Sequence, residues 1–259
     1  MLSSPPLISC ICVTYRKPDM LARAIRCFVS QTYTNKELVI LYEDHDLPTL
    51  HFLAWLPQDD RIKLVCVNGS PKKTLGELRN LAVLAADGEF VCQWDDDDWY
   101  HMDRLTHQYH AICNSQASGC LLTRWLVFDK QTGKAFVSNQ RRWEGSIMCR
   151  KTIFCARKYD HKAKGEDTDV IDYLHNNQHL TYIDDRPDLY LYVYHGSNTW
   201  GVDHFSKIFE ASRELTDYSA VFGRILNNEF SPEECLMIIN DMEFGLIEVK
   251  DPIGTNDNF

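Results

Sequence analysis

The chain has 259 residues, of which 44% are hydrophobic and 25% charged, and its formal net charge is −10. This composition is typical of a globular protein with a sizeable core, and the acidity argues against nucleic-acid binding, because phosphate backbones attract basic surfaces. No apolar run approaches the roughly 20 residues that cross a bilayer. We therefore expect no transmembrane segment, whereas peripheral contact with a membrane is compatible with the sequence.

Ten cysteines are spread along the chain, several of them inside apolar runs, and none forms a C-x-x-C pair. This spacing gives no indication of zinc or thioredoxin-like chemistry. Because no signal peptide opens the sequence, we expect buried, reduced thiols and a cytoplasmic protein.

The first hundred residues alternate between strand-like and helix-like segments. Short apolar runs predict strands over residues 7–13, 37–42, 62–67 and 90–94, and amphipathic or capped segments predict helices over 18–31, 49–55 and 74–86. Such alternation implies right-handed crossovers and a mainly parallel sheet covered by helices, an α/β fold.

The second half has a different pattern. A helix over residues 102–114 precedes three shorter predicted strands, 119–128, 134–138 and 145–150, the first two paired about Thr132-Gly133. From Val202 onward the chain is predicted to be helical, with a capping box that begins at Ser231.

Four adjacent aspartates, Asp95 to Asp98, follow the fourth predicted strand and lie between two tryptophans. Adjacent carboxylates repel one another, so a bound cation is the simplest reason for such a run. On an extended chain Asp95 and Asp97 would face one ion while Asp96 turns aside. Oxygen ligands at this spacing suit Mg²⁺ or Mn²⁺ completed by substrate phosphates. The alternative is an acidic surface turn in which Asp98 caps the next helix.

Four ordered segments carry a family resemblance: ISCICVTY at 8–15, ARAIRCFVSQTY at 22–33, GELRNLA at 76–82 and ADGE at 86–89. Together with the aspartate run they resemble family 2 glycosyltransferases over roughly the first 110 residues. The resemblance implies the GT-A fold, a Rossmann-like, mostly parallel sheet flanked by helices, here followed by a helical C-terminal tail. It also implies a nucleotide-sugar donor, commonly a UDP-sugar, and Mn²⁺ or Mg²⁺ held by a D-x-D motif.

Mapped onto this sequence, the resemblance places Asp95 and Asp97 at the two acidic positions of the D-x-D motif. Asp97 is the preferred direct metal ligand, and Asp96 lies beside the donor. Thr14 and Tyr15 match family positions that border the nucleotide base. The resemblance also places a further donor-side residue, Arg79, near the nucleotide.

The chain departs from the family at the end of the second strand, where an aspartate pair followed by Gly-Ser is usual. The sequence here continues Glu43-Asp44-His45-Asp46. Either Glu43 or Asp44 is expected to receive the base N–H, and Asp44 is favoured because its shorter side chain matches the usual residue. The missing Gly-Ser leaves the identity of the base open.

Residues 165–170 resemble the family's E-D motif, in which the aspartate, here Asp167, acts as general base. The alternative is that these acidic residues only favour the first turn of a helix. In the late polar segment 194–200, His195 is expected to complete the metal shell or bind the diphosphate, although a lone histidine is often structural. Trp143 is either a sugar-stacking residue or part of the core.

These features together predict a metal-dependent inverting glycosyltransferase that acts on a glycan or glycolipid acceptor, in bacterial surface glycan synthesis, with localisation in the cytoplasm or at the inner face of the membrane. Residues 1–201 would form the GT-A domain, with a donor half over 1–98 and an acceptor half over 99–201, and 202–259 a helical extension. Two alternatives stay open: a nucleotidyltransferase, although the segment after the first strand lacks the glycines of a phosphate loop, and a noncatalytic nucleotide-sugar or carbohydrate-binding module.

Overall fold

The computed structural model describes residues 4–245. Within these residues the strands are β1 (Ile8–Val13), β2 (Lys36–Glu43), β3 (Ile62–Val67), β4 (Phe90–Gln93), β5 (Trp99–Tyr100), β6 (Gly119–Leu122), β7 (Leu126–Asp129), β8 (Lys134–Val137), β9 (Met148–Arg150), β10 (Leu180–Ile183), β11 (Tyr190–Tyr194) and β12 (Arg213–Glu214). The α-helices are α1 (Pro18–Val29), α2 (Leu47–Ala54), α3 (Leu75–Ala85), α4 (Arg104–Ser115), α5 (Lys151–Ala156), α6 (Thr168–Asn176), α7 (Val202–Glu210), α8 (Ser219–Leu226) and α9 (Pro232–Asn240). Short 3-10 helices cover Glu144–Ser146, Pro187–Leu189 and Thr216–Tyr218.

The main sheet has seven strands in the order β10-β6-β9-β4-β1-β2-β3. Its strands pair in parallel except for β9, which is antiparallel to both β4 and β6. The predicted α/β alternation of the first half is therefore confirmed. Because β1 and β4 are parallel neighbours, with Ile11 opposite Gln93, the residues that follow them emerge at the same edge of the sheet.

A second sheet of five strands has the order β12-β8-β7-β11-β5. The expected single strand over 119–128 is wrong: its two ends, β6 and β7, belong to different sheets. Between them Thr123 and Arg124 donate hydrogen bonds to the backbone oxygens of Ile183 and Asp184, so the chain stays beside β10 until it crosses to the second sheet. The hairpin of β7 and β8 is confirmed, and Gly133 in its turn has a φ of +73°.

The aspartate run connects the two sheets, since it leaves β4 of the main sheet and enters β5 of the second. Both flanking tryptophans are buried. Trp94 donates its indole N–H to the backbone oxygen of Ala24 in α1, and its ring lies 3.9 Å from that of Tyr100. The run is thus anchored at both ends by aromatic side chains of the core.

Arg104 of α4 contacts residues of both sheets. Its side chain is fully buried and donates to the backbone oxygens of Gln93 and Ser146, at 3.1 and 3.2 Å. Its guanidinium carbon lies 4.7 Å from the ring centroid of Tyr100 and 4.9 Å from that of Tyr190. Arg104 therefore fixes the end of β4 against the second sheet.

The described part of the C-terminal extension packs on this framework. Phe205, Ile208 and Phe222 belong to the same buried cluster as Trp125 and Tyr190, and β12 adds a strand to the second sheet. The predicted helices of the extension are present from α7 to α9, while its residues 246–259 lie outside the described part of the chain. Across residues 4–245, no helix combines the length and apolarity needed to cross a membrane.

Replacing Arg104 by alanine should lower the free energy of unfolding by about 4 kcal/mol, because it leaves a cavity and removes the donor to two buried carbonyls. Urea denaturation measures the change. Arg157, whose side chain is 47% exposed beside Asp169, is the matched control, and Arg157→Ala should cost less than about 0.5 kcal/mol. Equal effects of the two substitutions would contradict the role given to Arg104.

Candidate active site

A cavity of about 660 Å³ opens at the carboxyl ends of β1, β2 and β4. It is the place where an open parallel sheet binds ligands. The predicted site residues in its wall are Thr14, Tyr15, Glu43, Arg79, Asp95, Asp96, Asp97 and Asp167. Two predicted residues, Asp44 and His195, do not line it.

The aspartate run forms a turn rather than an extended segment, because β4 ends at Gln93 and the chain turns at Asp96 and Asp97. The expected alternation along an extended chain is therefore wrong. Asp96 still has its own partner, since it accepts a hydrogen bond from the Thr14 hydroxyl at 2.7 Å. All three of Asp95, Asp96 and Asp97 reach the cavity.

Asp97 receives two nitrogen donors at one carboxylate oxygen. Lys17 Nζ lies 2.7 Å from Oδ2, and His195 Nε2 lies 3.0 Å from the same atom. Burial alone would raise the pKa of Asp97, but the hydrogen bond from His195 and the charge of Lys17 hold it well below its usual value. Burial and the neighbouring Asp97 raise the pKa of Asp96 to about 7. Asp97 is thus the more strongly ionised member of the pair.

Asp98 does not cap the following helix. It is fully buried and accepts hydrogen bonds from the Tyr190 hydroxyl at 2.6 Å and the Val193 backbone N–H at 2.9 Å. The N-terminal cap position of α4 is instead Asp103, whose side chain makes no capping bond. The interpretation of the run as a solvated surface turn is therefore wrong, because Asp98 holds β11 in place from inside the protein.

Arg79 of α3 gathers three carboxylates around one buried guanidinium. It contacts Asp95 at 2.7 Å, Glu166 at a closer distance, and Asp167 at 3.5 Å. Although burial disfavours its charge, the three carboxylates raise the pKa of Arg79 well above its usual value. Arg79 therefore bridges the aspartate run and the E-D pair.

Asp167 occupies the N-terminal cap position of α6, with no capping hydrogen bond from its side chain. The preceding residues turn at Gly165, whose φ is +63°. Burial raises the pKa of Asp167, while Arg79 opposes that rise. The carboxylate therefore faces the cavity in a position where it can accept a proton.

The end of β2 separates the two candidate base-binding carboxylates. Glu43 is 7% exposed and lines the cavity, and its buried Oε1 has no hydrogen-bond partner among the described residues. Asp44 is exposed and accepts from the Gly69 backbone N–H at 3.1 Å. The structure thus presents Glu43, and not Asp44, to a ligand in the cavity.

His195 is held by its own loop. Its backbone N–H donates to Asn198 Oδ1 at 2.9 Å, and its Nδ1 lies 2.9 Å from the Ser197 hydroxyl. Gly196, with a φ of +84°, makes this tight turn without strain. The loop directs Nε2 toward Asp97, from which it is 98 positions distant in sequence.

Trp143, the candidate sugar-stacking residue, lines the cavity, and several other wall residues were not predicted from the sequence. Trp143 stacks on Trp125 at a centroid distance of 4.6 Å, and Trp125 stacks on Tyr190 at 4.0 Å. Glu144 and Lys17 also line the cavity. Lys17 was the most accessible to prediction, since it lies two positions after Tyr15 in sequence.

The carboxylates offer a donor set that fits a hard divalent ion. Within residues 4–245, no group of three or more His, Cys, Asp or Glu side chains converges as a protein-only metal site would. Mg²⁺ in such sites, however, needs only one or two carboxylates and takes its other ligands from phosphates and water. Asp97 Oδ2 and His195 Nε2 lie 3.0 Å apart, with Asp95 and Asp96 beside them. Lys17 contacts the same Asp97 oxygen and would compete with an ion for it.

Comparison with known sequences defines the class of protein. The profile described as glycosyl transferase family 2 matches residues 9–173. Because the match covers more than half of the chain, this protein belongs to glycosyltransferase family 2. The family and the GT-A fold expected from the sequence are thereby confirmed.

One of the similar proteins is a bacterial glucosyltransferase. The chain is 27% identical over 106 residues to Escherichia coli WfaP, a UDP-Glc:alpha-D-GlcNAc-diphosphoundecaprenol beta-1,3-glucosyltransferase, and the match covers 41% of each protein. This chain therefore matches less than half the length of WfaP.

Two solved structures share the fold. S. aureus TarS 1–349 in complex with UDP-GlcNAc is 16% identical with a TM-score of 0.60, over 74% of this chain and 60% of that one. The mannosyltransferase PcManGT from Pyrobaculum calidifontis, in complex with GDP-Man and Mn²⁺, is 12% identical with a TM-score of 0.59, over 91% of this chain and 73% of that one. At these identities the similarity establishes the fold alone.

Glu144 should make stability depend on pH. Burial and the nearby Asp167 raise its pKa from 4.5 to about 8, so the folded state binds this proton more tightly than the unfolded chain. The free energy of unfolding should therefore fall as the pH rises from about 5 to about 8, by on the order of 2 kcal/mol.

Glu144→Gln should show a smaller fall than the wild type, because the contribution of Glu144 is lost while that of Asp96, whose pKa is also raised, stays; urea denaturation at the two pH values measures the difference. Glu229→Gln, which removes an exposed carboxylate paired with Arg224, should follow the wild-type curve. A Glu144→Gln variant with the wild-type pH dependence would contradict the prediction.

Proposed function

We propose that the protein is a metal-dependent inverting glycosyltransferase that moves a sugar from a nucleotide-sugar donor, a UDP-sugar, to an acceptor hydroxyl. One observation carries the proposal: a single cavity contains the aspartate run and Asp167, and Arg79 contacts both. This arrangement supports a leaving-group site and a proton acceptor that act on one bound sugar. The family membership supports the reaction class.

On the donor side, Asp97 and His195 are assigned to a divalent ion, Mn²⁺ or Mg²⁺, with Asp95 and Asp96 beside it. When bound, the ion would stabilise the negative charge that develops on the departing diphosphate. Lys17 adds a positive charge at the same place.

On the acceptor side, Asp167 is assigned the role of general base. As the acceptor oxygen bonds to the anomeric carbon, the bond from that carbon to the diphosphate oxygen breaks, and its electron pair leaves with the nucleoside diphosphate. The proton of the acceptor hydroxyl passes to the Asp167 carboxylate. Attack on the face opposite the leaving group inverts the anomeric centre. Arg79 and Glu166 fix the carboxylate for this step.

Glu43 is assigned to the nucleotide base. Its buried Oε1 lacks a partner among the described residues, and an acceptor in that state is stabilised by an N–H donor such as that of uracil. Thr14 and Tyr15 lie next to it in the cavity wall. We further propose a glycan or glycolipid acceptor in bacterial surface glycan synthesis, in keeping with the activity of WfaP, at the cytoplasmic face of the membrane.

Asp167→Asn should lower the transfer rate by about 10²- to 10⁴-fold, because the amide cannot accept the proton. UDP affinity should stay within about threefold of the wild-type value. Asp97→Ala should abolish transfer and weaken metal-dependent UDP binding. The measurements are mass spectrometry of products from a panel of nucleotide sugars and calorimetry with UDP and Mn²⁺.

Asp169→Asn is the matched control, since Asp169 is exposed and lies outside the cavity, and it should retain wild-type activity. Wild-type turnover by Asp97→Ala would contradict the assignment of the donor site. Tight UDP binding by the wild type without turnover or donor hydrolysis would instead favour a noncatalytic binding module.

The two carboxylates at the end of β2 can be tested against each other. Glu43→Ala should raise the Kd for UDP by about tenfold or more, because a hydrogen bond to a charged group is lost. Asp44→Ala, one position further on but exposed, should change it by less than about threefold. Calorimetry in the presence of Mn²⁺ measures both. The reverse order of effects would transfer the role to Asp44.

A further inference from the structure

Two groups of cations in the cavity wall differ in their partners. Beside the aspartate run, Lys17 and Arg79 both contact carboxylates. Three further wall residues, Arg141, Lys164 and His204, are here called the basic end. Among the described residues, none of these three side chains has a hydrogen-bond or ion-pair partner. Arg141 and Lys164 are therefore cations without a close ion pair in a chain whose net charge is −10, although the charge of Glu144 acts on Arg141.

Aromatic rings hold the basic end in position. The Arg141 guanidinium carbon lies 4.7 Å from the ring centroid of Trp143. Lys164 Nζ lies 5.4 Å from the ring centroid of Trp200, and His204 stacks on the same ring at 4.6 Å. The cations are therefore supported by packing while their hydrogen-bond donors stay available.

The surroundings of His204 also indicate a concentration of positive charge at the basic end. Its Nδ1 is buried without a hydrogen-bond partner in the described structure. Burial, together with Arg141, Lys164 and Lys207, lowers the pKa of His204 to about 4, so the cations are close enough to act on it. His204 also lies in the first turn of α7, whose N terminus has no side-chain cap and carries the positive end of the helix dipole.

We propose that the basic end binds a phosphate or diphosphate group of the acceptor, so that the acceptor is a sugar phosphate or a sugar diphosphate. The forked donors of Arg141 match phosphate oxygens. Lys164 is three positions before Asp167, and Glu144 lies near enough to both Arg141 and Asp167 for their charges to act on it, so the bound phosphate would place the acceptor beside the general base. This inference rests on the proposed function, and it names the class of acceptor.

The test uses calorimetry on the protein saturated with UDP and Mg²⁺, so that the donor site is filled. Isopentenyl diphosphate represents a lipid-linked diphosphate, and glucose 1-phosphate represents a soluble sugar phosphate. Either probe should bind the wild type, and Arg141→Gln/Lys164→Gln should weaken binding at least tenfold. The single variant Lys164→Gln should weaken probe binding at least threefold. Because the side chain of Lys164 is exposed, this variant should fold normally, and it tests the inference even if the double variant misfolds.

The matched control is Lys130→Gln/Lys158→Gln, which removes the same charge from exposed positions outside the cavity and should change probe binding by less than twofold. UDP affinity should stay within twofold in all variants. Tighter binding of isopentenyl diphosphate would indicate a lipid-linked acceptor, and tighter binding of glucose 1-phosphate a soluble one.

Two results would overturn the inference. One is a UDP-loaded wild type that binds neither probe. The other is an equal loss of UDP and probe binding in the double variant, which would assign the basic end to the donor diphosphate. A wild type that does not bind UDP at all contradicts the proposed function instead, so the two failures are distinguishable.

Discussion

Four consecutive aspartates can be folded together because other parts of the chain supply partners for each of them, and the site depends on this arrangement. The partners come from distant parts of the chain and differ in chemistry, from guanidinium and ammonium groups to hydroxyls and a backbone N–H. They are Arg79 for Asp95, Thr14 for Asp96, Lys17 and His195 for Asp97, and Tyr190 and Val193 for Asp98. Since a buried, uncompensated carboxylate is costly, these contacts fix α1, α3 and β11 around one turn.

Periodicity predicted the features that repeat along the chain and missed those that depend on single contacts. The four parallel strands and the position of Asp95 to Asp98 followed from apolar runs and their spacing. A two-residue strand such as β5 has no periodicity, and the change of sheet at Thr123 depends on contacts about sixty positions away. The choice between Glu43 and Asp44 depends on which of the two side chains faces the cavity at the end of β2, and the sequence pattern does not determine this.

The distribution of charge in the cavity matters more than the total. A net charge of −10 describes a protein that long polyanions avoid, yet the cavity wall combines an acidic end with a basic one. At the acidic end Lys17 and Arg79 contact several carboxylates, whereas the cations of the basic end rest on aromatic rings. Local pairing, and not net charge, therefore decides which small anions the protein can hold.

Arg79 has a consequence for exchanging parts between related enzymes. It belongs to α3 in the first half of the chain, yet two of its three carboxylate contacts, Glu166 and Asp167, come from the second half. A chimaera that joins residues 1–98 to a foreign second half would bury this guanidinium with only Asp95 unless the new half supplies an equivalent acidic pair. The two halves are thus bound by an electrostatic constraint, and a new acceptor specificity has to be introduced around that pair rather than in place of it.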